Sequence, residues 1–305
     1  MSDGGAVGDG GAGAAEPAGD AVAARRPDTP MGRVRRKLGP AVVAARRVDA
    51  HWRALPDFVI VGAQKAGTTT LYTQLVAHPS VLAALRKEVH FFDRTPRALA
   101  WYRAFFPHRA RIASVQRRTG AGVTGEATPF YLCHPAVPAR LAAVVPDVRV
   151  IAVLRDPVAR AISGYHHVRR WGRETRPIEV ALDPGAEEVP ASPDDAAWYD
   201  SPTSPLRVRG YLARGRYAEQ LDRWYARFPR EQVLVLETGD LTSGVALARS
   251  LAHLGIAPTD GPPAADRNVG AYSPPASSLE STLRDYFRPH NERLFALLGT
   301  AYPWS

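Results

Sequence analysis

At 305 residues the chain is long enough for one large domain or two small ones, and 45% hydrophobic with 23% charged residues is ordinary for a globular core. No apolar run reaches the roughly 18 residues of a membrane-spanning helix, which excludes one. The net charge of +9 suggests an anionic partner, such as nucleic acid, a membrane surface or a phosphorylated or sulfated small molecule, but it is unevenly placed: −4 over residues 1–24, +7 over 25–53 and +6 over 54–305. Much of the basicity is therefore an arm and not a binding face.

Residues 1–24 hold 15 Gly or Ala, with neither the basic start nor the apolar stretch of a secretory signal, and read as a disordered tail. Residues 31–53 read as a basic arm able to form short amphipathic helices, so that 1–54 is tail and arm and the folded domain, 55–305, starts near Pro56. Phe58 to Val61 is a continuous apolar run, as in a strand buried on both faces of a parallel sheet. A loop from Gly62 to Gly67 and a helix from Thr68 to Ala77 follow, with His78-Pro79 ending the helix. Cys133, the only cysteine, reads as a small buried hydrophobe; it allows no intrachain disulfide or cysteine-based zinc site and fits a reducing, cytoplasmic setting. Val148 to Leu154 is a second strand, and Asp156-Pro157 are a helix cap and first turn for Val158 to Arg170. Residues 173–205, with eight acids and several prolines, read as a long surface loop able to gate a site. A helix from Tyr217 to Phe228 and a strand from Gln232 to Leu236 complete an alternation that predicts an α/β domain with a mostly parallel central sheet flanked by helices.

The strand–loop–helix at 58–77 carries Gly62-Ala63-Gln64-Lys65-Ala66-Gly67-Thr68-Thr69. Loop amides and a helix N-terminus aimed at one point suit a phosphate-like anion, while the same residues alone also fit a tight glycine turn with an incidental lysine. The Walker A pattern fails, because Thr68 stands where it needs lysine and the lysine lies inside the loop at 65. Of 39 basic residues only Lys37, Lys65 and Lys87 are lysine, so a lysine in this chain marks a place that suits a compact ammonium better than a guanidinium fork.

A loop of this form after a buried strand resembles the 5′-phosphosulfate loop of sulfotransferases that use 3′-phosphoadenosine 5′-phosphosulfate (PAPS), which have a P-loop-NTPase-like fold and need no metal. Leu154-Arg155-Asp156-Pro157 through Ser163-Gly164-Tyr165 is similar to that family's 3′-phosphate segment, and Lys87-Glu88-Val89-His90-Phe91-Phe92-Asp93 to the catalytic segment of its heparan sulfate 3-O-sulfotransferases and, less closely, the N-sulfotransferases. Trp101-Tyr102, Phe105-Phe106-Pro107, Gly125-Glu126-Ala127-Thr128-Pro129 with Tyr131, Gly215-Arg216-Tyr217 and Asp285-Tyr286-Phe287 extend the likeness over residues 57–299.

The resemblance implies a transferase moving a sulfuryl group from PAPS to a hydroxyl or amine on a carbohydrate or glycosylated metabolite. It implies Lys65, Ala66, Gly67, Thr68, Thr69, Arg155, Ser163 and Tyr217 as cofactor ligands, and Glu88, Lys65 and His90 as the catalytic set. Glu88 is the expected general base, its pKa raised by burial beside Phe91 and Phe92. His90 is expected to contact the sulfonate or orient Glu88, with Asp93 holding His90; the pair fits a helix cap or polar core pair as well. The chain departs from the family in three places. Val269-Gly270-Ala271, with Arg267 nearby, stands where the nucleotide-binding Lys-Gly-Arg is expected, Ala127 replaces a lysine, and the disulfide partner of Cys133 is missing. The implied protein is a bacterial-type cytoplasmic relative acting on a small-molecule or glycan acceptor, with no nucleic-acid partner. Two other readings compete: a P-loop kinase using ATP, against which the missing Gly-Lys-Thr/Ser counts, and a basic nucleic-acid-binding protein, against which the concentration of charge in the arm counts.

Overall fold

A computed structural model describes residues 30–94, 96–188, 195–258 and 276–304, with side chains from residue 39. The tail at 1–24 and the Val269-Gly270-Ala271 stretch lie outside the described residues.

In chain order the strands are β1 (Phe58–Gly62), β2 (Val81–Ala83), β3 (Val123–Ala127), β4 (Arg149–Leu154) and β5 (Val233–Glu237). The helices are α1 (Pro30–Arg47), α2 (Thr68–Ala77), α3 (Leu99–Arg103), α4 (Arg109–Thr119), α5 (Val137–Val144), α6 (Pro157–Arg170), α7 (Ile178–Ala181), α8 (Ala196–Asp200), α9 (Pro205–Arg209), α10 (Tyr217–Tyr225), α11 (Val245–His253) and α12 (Ser277–Leu298). The sheet runs β2-β3-β1-β4-β5 and every pairing is parallel, with Ile60 opposite both Ala127 and Ile151. The expected mostly parallel α/β sheet flanked by helices is what forms.

β1 is central because all five of its residues are buried, as are Val150 to Leu154 of β4. Each fully buried aliphatic side chain here stabilises the fold by about 2 kcal/mol. Leu71 and Leu75 of α2, and Trp224 of α10 with Phe228 just beyond it, join the same core. All strands point the same way, so the segments leaving β1, β3, β4 and β5 emerge along one edge, where open α/β sheets place their ligands.

The predicted cap of α6 is observed: the Asp156 carboxylate accepts from the Val158 amide at 3.0 Å and Pro157 opens the helix. Two expectations change. The arm is one helix followed by a turn at Ala50–Trp52, and its packing begins before Pro56. Val43, Ala50 and Arg53 are buried, and the Arg53 Nη1 donates to the Phe106 carbonyl at 3.1 Å. Short helices α7 and α8 interrupt the loop expected at 173–205.

Candidate active site

The β1–α2 loop is built around two residues in the left-handed region, Lys65 at φ 72° and Gly67 at φ 90°. Glycine suits position 67 because of its left-handed φ, and a side chain there would also press on the end of the Leu241 side chain. The Thr238 hydroxyl, leaving β5, donates between the Ala66 and Leu154 carbonyls at 3.1 and 2.8 Å and ties the loop to β4. Gly67 caps α2 without a side-chain bond. Amides in a helix's first turn lack a carbonyl one turn back, so the start of α2, with Thr68 and Thr69, offers donors at the helix's positive end.

Cations gather beside this loop. Arg155, at the end of β4, donates from Nη1 to the Lys65 carbonyl at 3.1 Å, and the Tyr217 hydroxyl holds the Arg155 carbonyl at 2.9 Å. Burial, reinforced by Arg170 and Arg155, lowers the Lys65 pKa; burial, Lys65 and Arg170 lower that of His167. Ser163, His167 and Arg170 recur at spacings of four and three, which puts them on one face of α6. Arg214, lowered to about 10 by burial, donates to the Gln64 side chain in the loop. Among the described residues Lys65, Arg155 and Arg170 make no ion pair with a carboxylate. Concentrated positive charge without internal neutralisation is what a multiply charged anion needs.

The 87–93 segment closes the other side. Lys87 Nζ donates to Thr69 Oγ1 at 2.6 Å and lies 3.1 Å from Glu88 Oε1, joining the loop and the segment into one site. His90 stands between two acids, with Nε2 3.6 Å from Glu88 Oε2 and Nδ1 2.8 Å from Asp93 Oδ2. Arg207 Nη1 also donates to Asp93 Oδ2, at 2.8 Å.

Here the expectation for Glu88 is overturned. Partial burial pushes its carboxyl up, but the pull of His90, 3.6 Å away, and of the Lys87 charge outweighs that and holds it at about 2. Phe91 turns away to stack on Tyr102 at 4.5 Å, and 44% of the Glu88 side chain is exposed. Burial pulls His90 down, yet its hydrogen bond to Asp93 and the nearby Glu88 carboxylate prevail and raise it. Burial likewise opposes, without cancelling, the pull of His90 and Arg207 that sets Asp93 at about 2. The helix-cap alternative for His90 and Asp93 does not apply, because the helix that follows, α3, has Ala98 at its N-cap and no side-chain cap bond.

The structure thus brings Lys65, Ala66, Gly67, Thr68 and Thr69 together with Arg155, and places Glu88 and His90 across from them. Ser163 is nearly buried on α6, and the Tyr217 hydroxyl is committed to the Arg155 carbonyl with its ring buried. His167, Arg170 and Arg214 were missed. For His167 and Arg170 the signal was available, since positions 163, 167 and 170 share a helix face.

The sequence of residues 55–245 matches the sulfotransferase domain family model. The chain belongs to the sulfotransferase family. It is 30% identical to human heparan sulfate glucosamine 3-O-sulfotransferase 6, over 83% of this chain and 74% of that protein. Mouse heparan sulfate glucosamine 3-O-sulfotransferase 3B1 is 29% identical, over 87% and 69%. A sulfotransferase from Alicyclobacillus acidocaldarius superposes with a TM-score of 0.60 at 30% identity, covering 82% of this chain and 98% of that one. This sulfotransferase therefore has the P-loop-NTPase-like architecture, and the readings as a kinase and as a non-enzymatic protein give way to it.

Proposed function

We propose that this sulfotransferase takes its sulfuryl group from PAPS and delivers it to a hydroxyl, or an amine, of a carbohydrate or glycosylated small molecule. The observation that carries the reading is the cluster of Lys65, Arg155 and Arg170, without a carboxylate partner among the described residues, fused to the Glu88–His90–Asp93 chain through the Lys87–Thr69 bond. The donor set fits a nucleotide bearing two separate anionic groups. Arg155 and Ser163 suit a phosphate at the far end, Arg through charge-assisted bonds and Ser as a neutral donor. Lys65 and the amides of Ala66 to Thr69 suit the phosphosulfate end.

The donor supplies the sulfuryl group, and this chain supplies positioning and charge, much as in phosphoryl transfer. Lys65 stabilises the negative charge that grows on the departing phosphate oxygen. Glu88, held near 2, is ionised at any working pH and accepts the acceptor's proton, most effectively late in transfer, when that oxygen has become acidic. His90, fixed by Asp93, orients Glu88 through Nε2. The sugar acceptor is favoured by the likeness to proteins named for heparan sulfate glucosamine.

Calorimetric titration with adenosine 3′,5′-bisphosphate and with ADP, on the wild type and on Arg155→Ala, tests the donor. Preference for the bisphosphate that weakens in the variant supports the reading, and equal binding of both nucleotides overturns it. Transfer from radiolabelled PAPS to de-O-sulfated heparan sulfate and to small glycosides then tests the acceptor class.

A further inference from the structure

Residues 88–93 form neither strand nor helix, yet four successive amides in this turn are held. The Val89 amide donates to Glu126 Oε2 and to Thr128 Oγ1, both at 3.1 Å, and the His90 amide to Thr128 Oγ1 at 3.5 Å. The Phe91 and Phe92 amides donate to the Tyr131 hydroxyl at 2.8 and 3.4 Å. Both hydroxyls pass their own protons to one acid: Thr128 donates to Glu126 Oε2 at 2.6 Å and Tyr131 to Oε1 at 3.4 Å. A third hydroxyl, Tyr102, donates to Oε1 at 2.7 Å, and its ring lies under Phe91.

We infer that Glu126, fully buried at the end of β3, is the positioning residue that fixes the turn carrying Glu88 and His90. The inference rests on the reading of those two residues as catalytic. Three side-chain hydroxyls and one amide converge on the carboxylate, and an acid buried this way is retained at a cost that only such donors offset. If the acid were absent, Thr128 and Tyr131 would be free to turn their protons elsewhere, and the lone pairs that receive the amides would lose their fixed direction. The arrangement explains a second oddity. His90 sits at φ 57°, a conformation unfavourable for a residue with a Cβ, and it is kept there because its own amide and those on both sides are pinned. From β3, its 127 amide donates to the Lys87 carbonyl at 2.9 Å, so the turn is clamped before and after Glu88. Burial raises the Glu126 pKa against the pull of Thr128, Tyr102, the Val89 amide and His90; the other titratable groups facing it are Tyr72 and Tyr131.

The test follows His90 by NMR in the full chain, with no donor or acceptor present. Thr128→Val and Tyr131→Phe keep shape and remove one hydroxyl each, and neither residue hydrogen-bonds the His90 ring. The inference expects the His90 titration midpoint to fall toward its ordinary value in both variants. It also expects exchange of the 89–92 amides to quicken on the order of tenfold, with Thr128→Ser restoring the wild-type behaviour. Glu126→Gln should show the same change more strongly; should that variant not fold, the hydroxyl variants carry the test. Wild-type His90 titration and amide exchange in Thr128→Val and Tyr131→Phe would overturn the inference. Failure of the wild type to bind adenosine 3′,5′-bisphosphate would instead overturn the donor reading, so the two failures are read on different instruments.

Discussion

Arg155 Nη1 donates to the Lys65 carbonyl at 3.1 Å, so the cation assigned to the nucleotide's far phosphate is bonded to the backbone of the residue assigned to its sulfuryl end. One bond thus couples the end of β4 to the loop after β1. Arg155→Ala removes both the charge and this brace, and the affinity for adenosine 3′,5′-bisphosphate should fall roughly tenfold to hundredfold, as expected for loss of charged hydrogen bonds. Calorimetry measures it directly, and undiminished affinity would place the far phosphate elsewhere.

Lys65→Ala should separate binding from transfer. The ammonium lies among Arg155, Arg170 and His167, so bisphosphate binding retains most of its cations when Lys65 is removed. Charge on the departing oxygen loses its nearest partner, and the rate should drop by about two orders of magnitude or more, the scale of losing one transition-state donor. Lys65→Arg should not restore it, because a planar fork does not replace a compact ammonium in a buried loop at φ 72°. Single-turnover transfer alongside calorimetry tests the split; equal losses in both would show that Lys65 serves binding alone.

The Glu88–His90–Asp93 chain predicts a pH window for stability. Glu88 and Asp93 titrate at about 2 against ordinary values of 4.5 and 3.8, so their contribution is present above those ordinary values and is lost as pH falls toward 2. His90 is raised above 6.5, so its contribution is complete below 6.5 and is lost as pH rises through the folded value. The cluster therefore stabilises the fold most between 4.5 and 6.5. The difference in Tm between the wild type and His90→Gln should peak in that window and shrink on either side. A difference independent of pH would mean that His90 is not charged through this cluster.

The strands, the loop and the cap of α6 were legible because they depend on local pattern: apolar runs, a glycine-lysine loop and Asp-Pro before a helix. The environment of Glu88 was not. Adjacent Phe91 and Phe92 suggested an apolar pocket, but Tyr102, distant in sequence, draws the Phe91 ring away and leaves Glu88 to Lys87 and His90. Glu126 stayed hidden for the same reason, since its partners come from three separate segments. The inward packing of the arm was not legible because arginine composition reads as solvated surface, whereas Arg46 and Arg53 turn inward onto backbone carbonyls.

Those inward arginines yield the last prediction. Arg46 Nη2 donates to the Phe106 carbonyl at 2.7 Å, and Arg53 adds a bond to the same oxygen while pairing with Asp49. Arg103 Nη1 in turn reaches the Arg53 carbonyl at 2.7 Å. Residues 43–53 thus clamp the segment that supplies Tyr102, whose hydroxyl meets Glu126 beneath the Glu88 turn. Deleting residues 1–37 removes arm charge but none of these bonds, and Tm and bisphosphate binding should stay at wild-type values. Deleting 1–54 removes the clamp, and Tm should fall by about 5 °C or more, since the loss of several part-buried bonds exceeds what a chain of this size absorbs unnoticed. If Tm is the same for both truncations, the clamp contributes nothing to stability and the fold does begin at Pro56.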